Sequence, residues 1–284
     1  MSFLAAIATT ATSGAAVPTG HEIPMAAPEV FRVGPLIVSG SMIVSWIIAA
    51  VLIIGAQLIC RKATTVPSGA QNFVEWIVES LLNFLNDILG VPLARRTFWF
   101  FATIFIFILA LNWFGLLPGV GTVGYGEGTS FWDFEVTRPF LRGANADINL
   151  PAAMAMIFFV LWIYWAFRDN GVVGVTKHIF GSKAEFGGVV GVIMALIFIA
   201  VGFLEIISIL IRPVALTLRL YGNVFGGEAL IDSMMRMVPW LSWLIPLPFY
   251  FYELLVGLVQ AFVFCLLCSV FTAMMCRHDE AESH

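Results

Sequence analysis

The chain has 284 residues, of which 60% are hydrophobic and only 11% charged, with a formal net charge of −4 and a mean hydropathy of +0.96. Soluble domains run at about 45–50% apolar and about 25% charged, and no single soluble core hides 26 Phe and 9 Trp. A soluble enzyme, a disordered chain and a nucleic-acid binder are excluded; the composition is that of a polytopic membrane protein with the bilayer as main solvent.

Residues 1–35 form an N-terminal tail. Met1 to Pro18 is small and weakly apolar, without the basic start of a signal peptide or the Arg-rich pattern of a transit peptide. The first apolar run, 36–60, is long enough to cross about 30 Å of hydrocarbon and is closed by Arg61-Lys62. The link 61–96 contains a mixed stretch, Ser68 to Leu89. Its apolar positions Phe73, Ile77, Leu81, Phe84, Leu85 and Ile88 recur at helical spacing, while Glu75, Glu79, Asn83, Asn86 and Asp87 make it too polar to span. The pattern predicts an amphipathic helix at the membrane interface.

A second span is expected over 97–117, after Arg95-Arg96. A Gly-rich loop, 118–147, follows, and then a third span over 148–167, with Pro151 near its first turn, where a missing N–H matters little. A polar link covers 168–186. Basic residues number four in 61–96 and three in 168–186, against one (Arg32) in the tail and two (Arg138, Arg142) in the 118–147 loop. By the positive-inside rule the two richer links are cytoplasmic, and the tail and the 118–147 loop extracytoplasmic.

Residues 187–277 differ from the rest. One long apolar stretch reaches about Met237 and carries Glu205, Arg212, Arg219, Glu228 and Asp232; a second, Trp240 to Cys276, carries only Glu253. At about 1.5 Å per residue each far exceeds the hydrocarbon thickness. The pair must therefore be strongly tilted or broken, with Pro213 as a candidate break and Pro239, Pro246 and Pro248 at the turn. A cytoplasmic tail, 278–284, ends the chain. The overall expectation is an all-α polytopic fold: about five membrane-embedded helices plus one interfacial helix, the last two a long tilted hairpin.

An ionisable residue at membrane depth costs about 2.5–3.5 kcal/mol even on the milder scale, so each needs a reason. Glu205, Arg212 and Arg219 are spaced by seven and share one helix face unless Pro213 breaks the register. Glu205 and Arg212 are read as a structural pair or as snorkelling ions. Arg219 cannot shed its proton, so it must meet water, a carboxylate, or both. Glu228 lies about 180° from Arg219 on an ideal helix, in different surroundings. Gly222, Gly226 and Gly227 let another helix approach closely, as a packing seam or as part of the path. Glu253 and Gln260 share a face of the last helix, as a proton relay or as structural hydrogen-bonding groups. Cys265 and Cys268 form a C-x-x-C inside an apolar run and read as small buried hydrophobes. None of the four histidines lies in a span, which disfavours haem ligation.

The segment Leu218-Arg219-Leu220-Tyr221-Gly222-Asn223-Val224-Phe225-Gly226-Gly227-Glu228 resembles the signature of subunit a of F-type ATP synthases. Leu258-Val259-Gln260-Ala261-Phe262-Val263-Phe264 resembles a second signature of that family. Asn112-Trp113-Phe114-Gly115-Leu116-Leu117-Pro118 and Asp147-Ile148-Asn149 are similar to weaker motifs, and the acidic tail from His278 also fits. The resemblance implies that Arg219 is the stator arginine facing a ring of c subunits. It further implies that Asn223, Glu228, Glu253 and Gln260 belong to an aqueous half-channel from the outer side. Glu205, Arg212 and Asp147 match family polar positions of less defined role. Relatives often carry a small hydroxyl residue where Ala215 stands, so no hydroxyl-assisted role is carried over there.

What this implies is a non-catalytic, ion-translocating stator subunit with no ATP chemistry, cofactor or metal of its own. It would sit in a bacterial plasma (inner) membrane beside the c ring and the peripheral-stalk b subunits. Two offset half-channels would pass protons, or Na+, to and from c-subunit carboxylates, with Arg219 between them. The alternative reading is an independent cation/proton antiporter or channel; it calls for inverted repeats with paired broken helices.

Overall fold

The computed structural model describes residues 29–33, 36–61, 64, 69–117, 120, 124–127, 135–139, 142–180, 189–237 and 244–276. Its body is all α. Helices α1 (Gly40–Cys60), α3 (Val91–Gly115), α4 (Asn149–Phe180), α5 (Val189–Met237) and α6 (Leu247–Cys276) are each long and apolar enough to cross a membrane, and α2 (Ala70–Leu89) is the amphipathic one. Two small antiparallel hairpins lie outside this body: β1 (Glu29–Val33) pairs with β2 (Leu36–Ser39), and β3 (Gly124–Glu127) with β4 (Glu135–Pro139).

Helix α6 is the hub, touching α2, α3, α4 and α5. Its buried positions Glu253, Gly257, Gln260, Ala261, Phe264, Cys265 and Cys268 follow the three-to-four spacing of a helix buried on one stripe. Facing it, α3 buries Thr97, Phe101, Ile104, Ile108, Leu111 and Asn112 at the same spacing. Both C-x-x-C thiols are free and buried, as small apolar side chains are. In α2, Leu81, Leu85 and Leu89 recur every four residues and point into the core, while Phe73 and Trp76 stack on each other outside it.

Several boundaries differ from the sequence expectation. The first helix starts at Gly40, not Leu36, because Leu36–Ser39 pairs as a strand with residues of the expected tail. The second span starts at Val91, six residues before Thr97, with Pro92 in its first turn, and so takes in Arg95 and Arg96. The polar link expected over 168–186 is helical as far as Phe180, bent at Gly171, whose φ of 66° only glycine adopts readily. The 118–147 loop contains the second hairpin and a 3-10 turn, Ala144–Ala146. Helix α5 runs uninterrupted through Pro213, so the expected break does not fall there, and 49 residues make a helix of about 73 Å. The tail before Glu29, residues 181–188, the turn at Pro239 and the tail 278–284 lie outside the described residues.

Candidate functional site: a polar ladder between the last two helices

The ionisable and amide side chains of α5 and α6 fall into three groups along the hairpin. At one end, the turn before α4 delivers Arg142 against Glu228. Arg142 Nε lies 3.5 Å from Glu228 Oε2, with the Arg142 side chain 4% exposed and that of Glu228 29%. Beside it, Asp147 is buried and accepts three hydrogen bonds: from Ser41 Oγ (2.6 Å), from Asn149 N (3.1 Å) and from Asn149 Nδ2 (2.8 Å). Asp147 thereby ties the start of α4 to the start of α1. Asn145 donates to Asn112 Oδ1 at 2.7 Å, and Asn112 donates to the Gly257 carbonyl of α6 at 3.0 Å. The α3–α6 seam is thus closed by amide hydrogen bonds where apolar packing would otherwise do the work.

The second group lies between the two helices. Glu253 is buried on α6 and its carboxylate is packed against Gly227 so closely that a Cβ there would collide with it. Farther along, Asn223 Nδ2 donates to Gln260 Oε1 at 2.6 Å. Gln260 is only 4% exposed, and its Nε2 has no protein partner among the described residues, as is also true of Glu228 Oε2 apart from the facing Arg142 charge. Buried polar atoms without protein partners are rare and mark places served by mobile water or ions.

The third group lies on the outward face of α5. Arg219 is exposed, and among the described residues it makes no hydrogen bond or ion pair. It lines a groove of about 530 Å³ with Arg212, Ser208, Ala215, Leu204 and Phe271. Arg212 is held: its Nη2 donates to Glu205 Oε1 at 3.1 Å, and its guanidinium lies 4.7 Å from the Phe271 ring centroid and 5.8 Å from that of Trp162. Of the two readings for Glu205 and Arg212, the structure shows the pair.

The sequence-expected residues are therefore sorted by the fold. Glu253, Gln260 and Asn223 lie in the α5–α6 seam, Glu228 sits at its end, and Arg219, one turn before Asn223, is exposed in the open groove beside the seam. Gly222 and Gly226 do not form a seam inside the chain, since a Cβ at either would meet nothing within 4 Å; only Gly227 makes a close approach. Sequence reasoning placed Arg142 in a loop and gave it no role. Its signal was weak: a single cation a few residues before the Asp147-Ile148-Asn149 motif. Trp162 and Phe271, the aromatic bed of Arg212, read in sequence as ordinary apolar residues.

Residues 42–273 match the family model described as ATP synthase A chain. The chain is 31% identical over 245 residues to ATP synthase subunit a of Moorella thermoacetica, covering 86% of this chain and 94% of that one. It is 32% identical over 255 residues to the Gloeobacter violaceus subunit a, covering 87% and 90%. It is 34% identical over 227 residues to subunit a 3 of Pelobacter propionicus, covering 80% and 83%. A match of this extent, running through every membrane-crossing helix of the structure, identifies the chain as a member of the ATP synthase subunit a family.

Proposed function

We propose that this chain is the ion-conducting stator subunit of a rotary ATP synthase in a bacterial plasma membrane, with α5 laid against a ring of c subunits and held by peripheral-stalk b subunits. In this reading the Arg142–Glu228 end of the hairpin faces outward. Ions enter there and pass Glu228, Glu253, Asn223 and Gln260 on their way to a ring carboxylate. They leave on the other side of Arg219, past the Glu205–Arg212 pair.

The observation that carries the reading is the state of Arg219: a permanent cation in the middle of a mainly apolar helix, exposed and unpaired among the described residues. An unpaired guanidinium in hydrocarbon is untenable. A carboxylate brought to it by a neighbouring ring satisfies it. At ~4 Å the attraction is about 4 kcal/mol for an effective dielectric of 20. A ring carboxylate carrying its ion is neutral and crosses lipid cheaply. Beside Arg219 it releases the ion and passes as an ion pair, and the fixed positive charge blocks direct leakage between the two access paths. Each charge crossing 100 mV supplies about 2.3 kcal/mol, the work that turns the ring. Gly222 and Gly226, open on the same helix, permit close approach of a partner helix. The buried Gln260 Nε2, without a hydrogen-bond partner among the described residues, suits a wet path that exchanges hydrogen bonds with a moving ion.

The test is ATP-driven pumping by the whole complex in reconstituted vesicles carrying Arg219→Ala. The reading requires pumping to be abolished while the ring still co-purifies; full coupled pumping refutes it. An independent antiporter or channel would instead show ion flux with this chain alone.

A further inference from the structure

The Arg142–Glu228 pair joins the turn that precedes α4 to α5. Arg142 is almost fully buried in the turn that precedes α4, whereas Glu228 is on α5. The pair is also the longest of the ion pairs among the described residues, with Glu228 Oε2 3.5 Å from Arg142 Nε. Charge attraction and hydrogen bonding from Arg142, with the Gly143 backbone beside it, hold the carboxylate. The backbone completes the cradle, since a Cβ on Gly143 would lie 3.2 Å from Glu228 Oε1. Among the described residues, Asp232, one turn on along α5, and Glu253 of α6, packed against the adjoining Gly227, add further carboxylates nearby. Asp147 is already engaged by Ser41 and Asn149.

We propose that Arg142 is a positioning residue of the ion path: its buried guanidinium holds the Glu228 carboxylate at the mouth of the α5–α6 seam and competes with the incoming proton for it. The inference rests on the reading of Glu228 as part of that path. Its consequence is specific. A proton binding Glu228 must displace an ion-pair partner, so Arg142 sets the proton concentration at which entry saturates. A neighbouring cation of this kind changes carboxylate protonation by about one pH unit or more.

The experiment uses the whole complex in vesicles and measures proton flux against the pH of the entry side. The variants are Arg142→Gln, Arg142→Lys, Glu228→Gln and the double Arg142→Gln/Glu228→Gln. Removing the competitor lets flux saturate at a lower proton concentration: Arg142→Gln moves the half-maximal point by about one pH unit, tenfold in protons, toward higher pH. Arg142→Lys, which keeps the charge, moves it less. In the Glu228→Gln background Arg142→Gln adds no displacement. An unmoved half-maximal point in Arg142→Gln overturns the proposal, as does the same displacement with Glu228 already replaced; a purely structural arginine would give one of these.

Should Arg142→Gln fail to assemble, the unpaired buried carboxylate is the predicted cause, and Glu228→Gln restores assembly in the double variant. No restoration overturns the proposal. A Glu228→Gln variant with normal flux at every pH sinks the path reading itself. Impaired flux in Glu228→Gln beside normal behaviour of Arg142→Gln sinks the Arg142 assignment alone.

Discussion

Helices α5 and α6 carry the same kind of cargo, polar groups on a very apolar helix, and the fold treats them oppositely. In the most apolar window of α6, 39% of residues are buried inside the chain, against 11% for α5. Helix α6 is wrapped by α2, α3, α4 and α5, and its Glu253 and Gln260 are interior residues. Helix α5 buries a narrow stripe, Ile209, Pro213, Leu216 and Leu220, and leaves Leu204, Ile211, Val214, Leu218 and Arg219 outside. A polar residue on α6 is thus served by its own chain, whereas Arg219 must be served from outside it. A channel that works alone has no reason to leave a cation in the middle of such an apolar helix exposed and unpaired among the described residues. A stator that meets a moving partner has that reason.

This contrast can be tested along its length. The largest effect is expected at Gly227, where any Cβ strikes the Glu253 carboxylate. Gly227→Val lowers proton flux about tenfold or more, the scale of an overpacking displacement of about 1–3 kcal/mol. Gly222→Ala, on the open face, leaves the stability of the isolated subunit in detergent unchanged and weakens only retention of the ring. If Gly222→Ala and Gly227→Val behave alike, the two faces are not distinct.

Next in size is Asn112→Ala, which strips a hydrogen-bond partner from Asn145 and from the Gly257 carbonyl. It destabilises the packed side of the hairpin by about 1–3 kcal/mol, read as a lowered Tm of the detergent-solubilised subunit. The smallest effect belongs to Phe271→Leu. Arg212 then loses its nearer aromatic face but keeps Glu205, so the loss is about 1 kcal/mol.

Much of this molecule was legible in its sequence because hydrocarbon thickness is a simple ruler. Twenty apolar residues make a span, and the leucines of α2 announce a helix buried along one stripe. The boundaries that moved did so for local reasons. Leu36-Ile37-Val38 is as apolar as a span but β-branched in part, and it found a strand partner in a segment that looked like tail. Arg95 and Arg96 looked like a membrane boundary, yet a helix can begin ahead of them, and Arg96 is paired with Asp169.

The charges were legible as anomalies. What they face was not, because partners such as Arg142 for Glu228, or Trp162 and Phe271 for Arg212, come from other helices and turns. Spacing within α5 shows that Arg219 and Glu228 diverge; only packing shows which of them is left open.

The most direct measurement of the central claim is proximity cross-linking of single cysteines along α5 in the assembled complex in its membrane. The account predicts that cysteines at Val214, Leu218 and Gly222, on the exposed surface of α5, cross-link to the ring subunits, and that cysteines at the buried Leu216 and Leu220 do not. Cross-links absent from Leu218 in a complex that still pumps, or equal from Leu218 and Leu220, would contradict it.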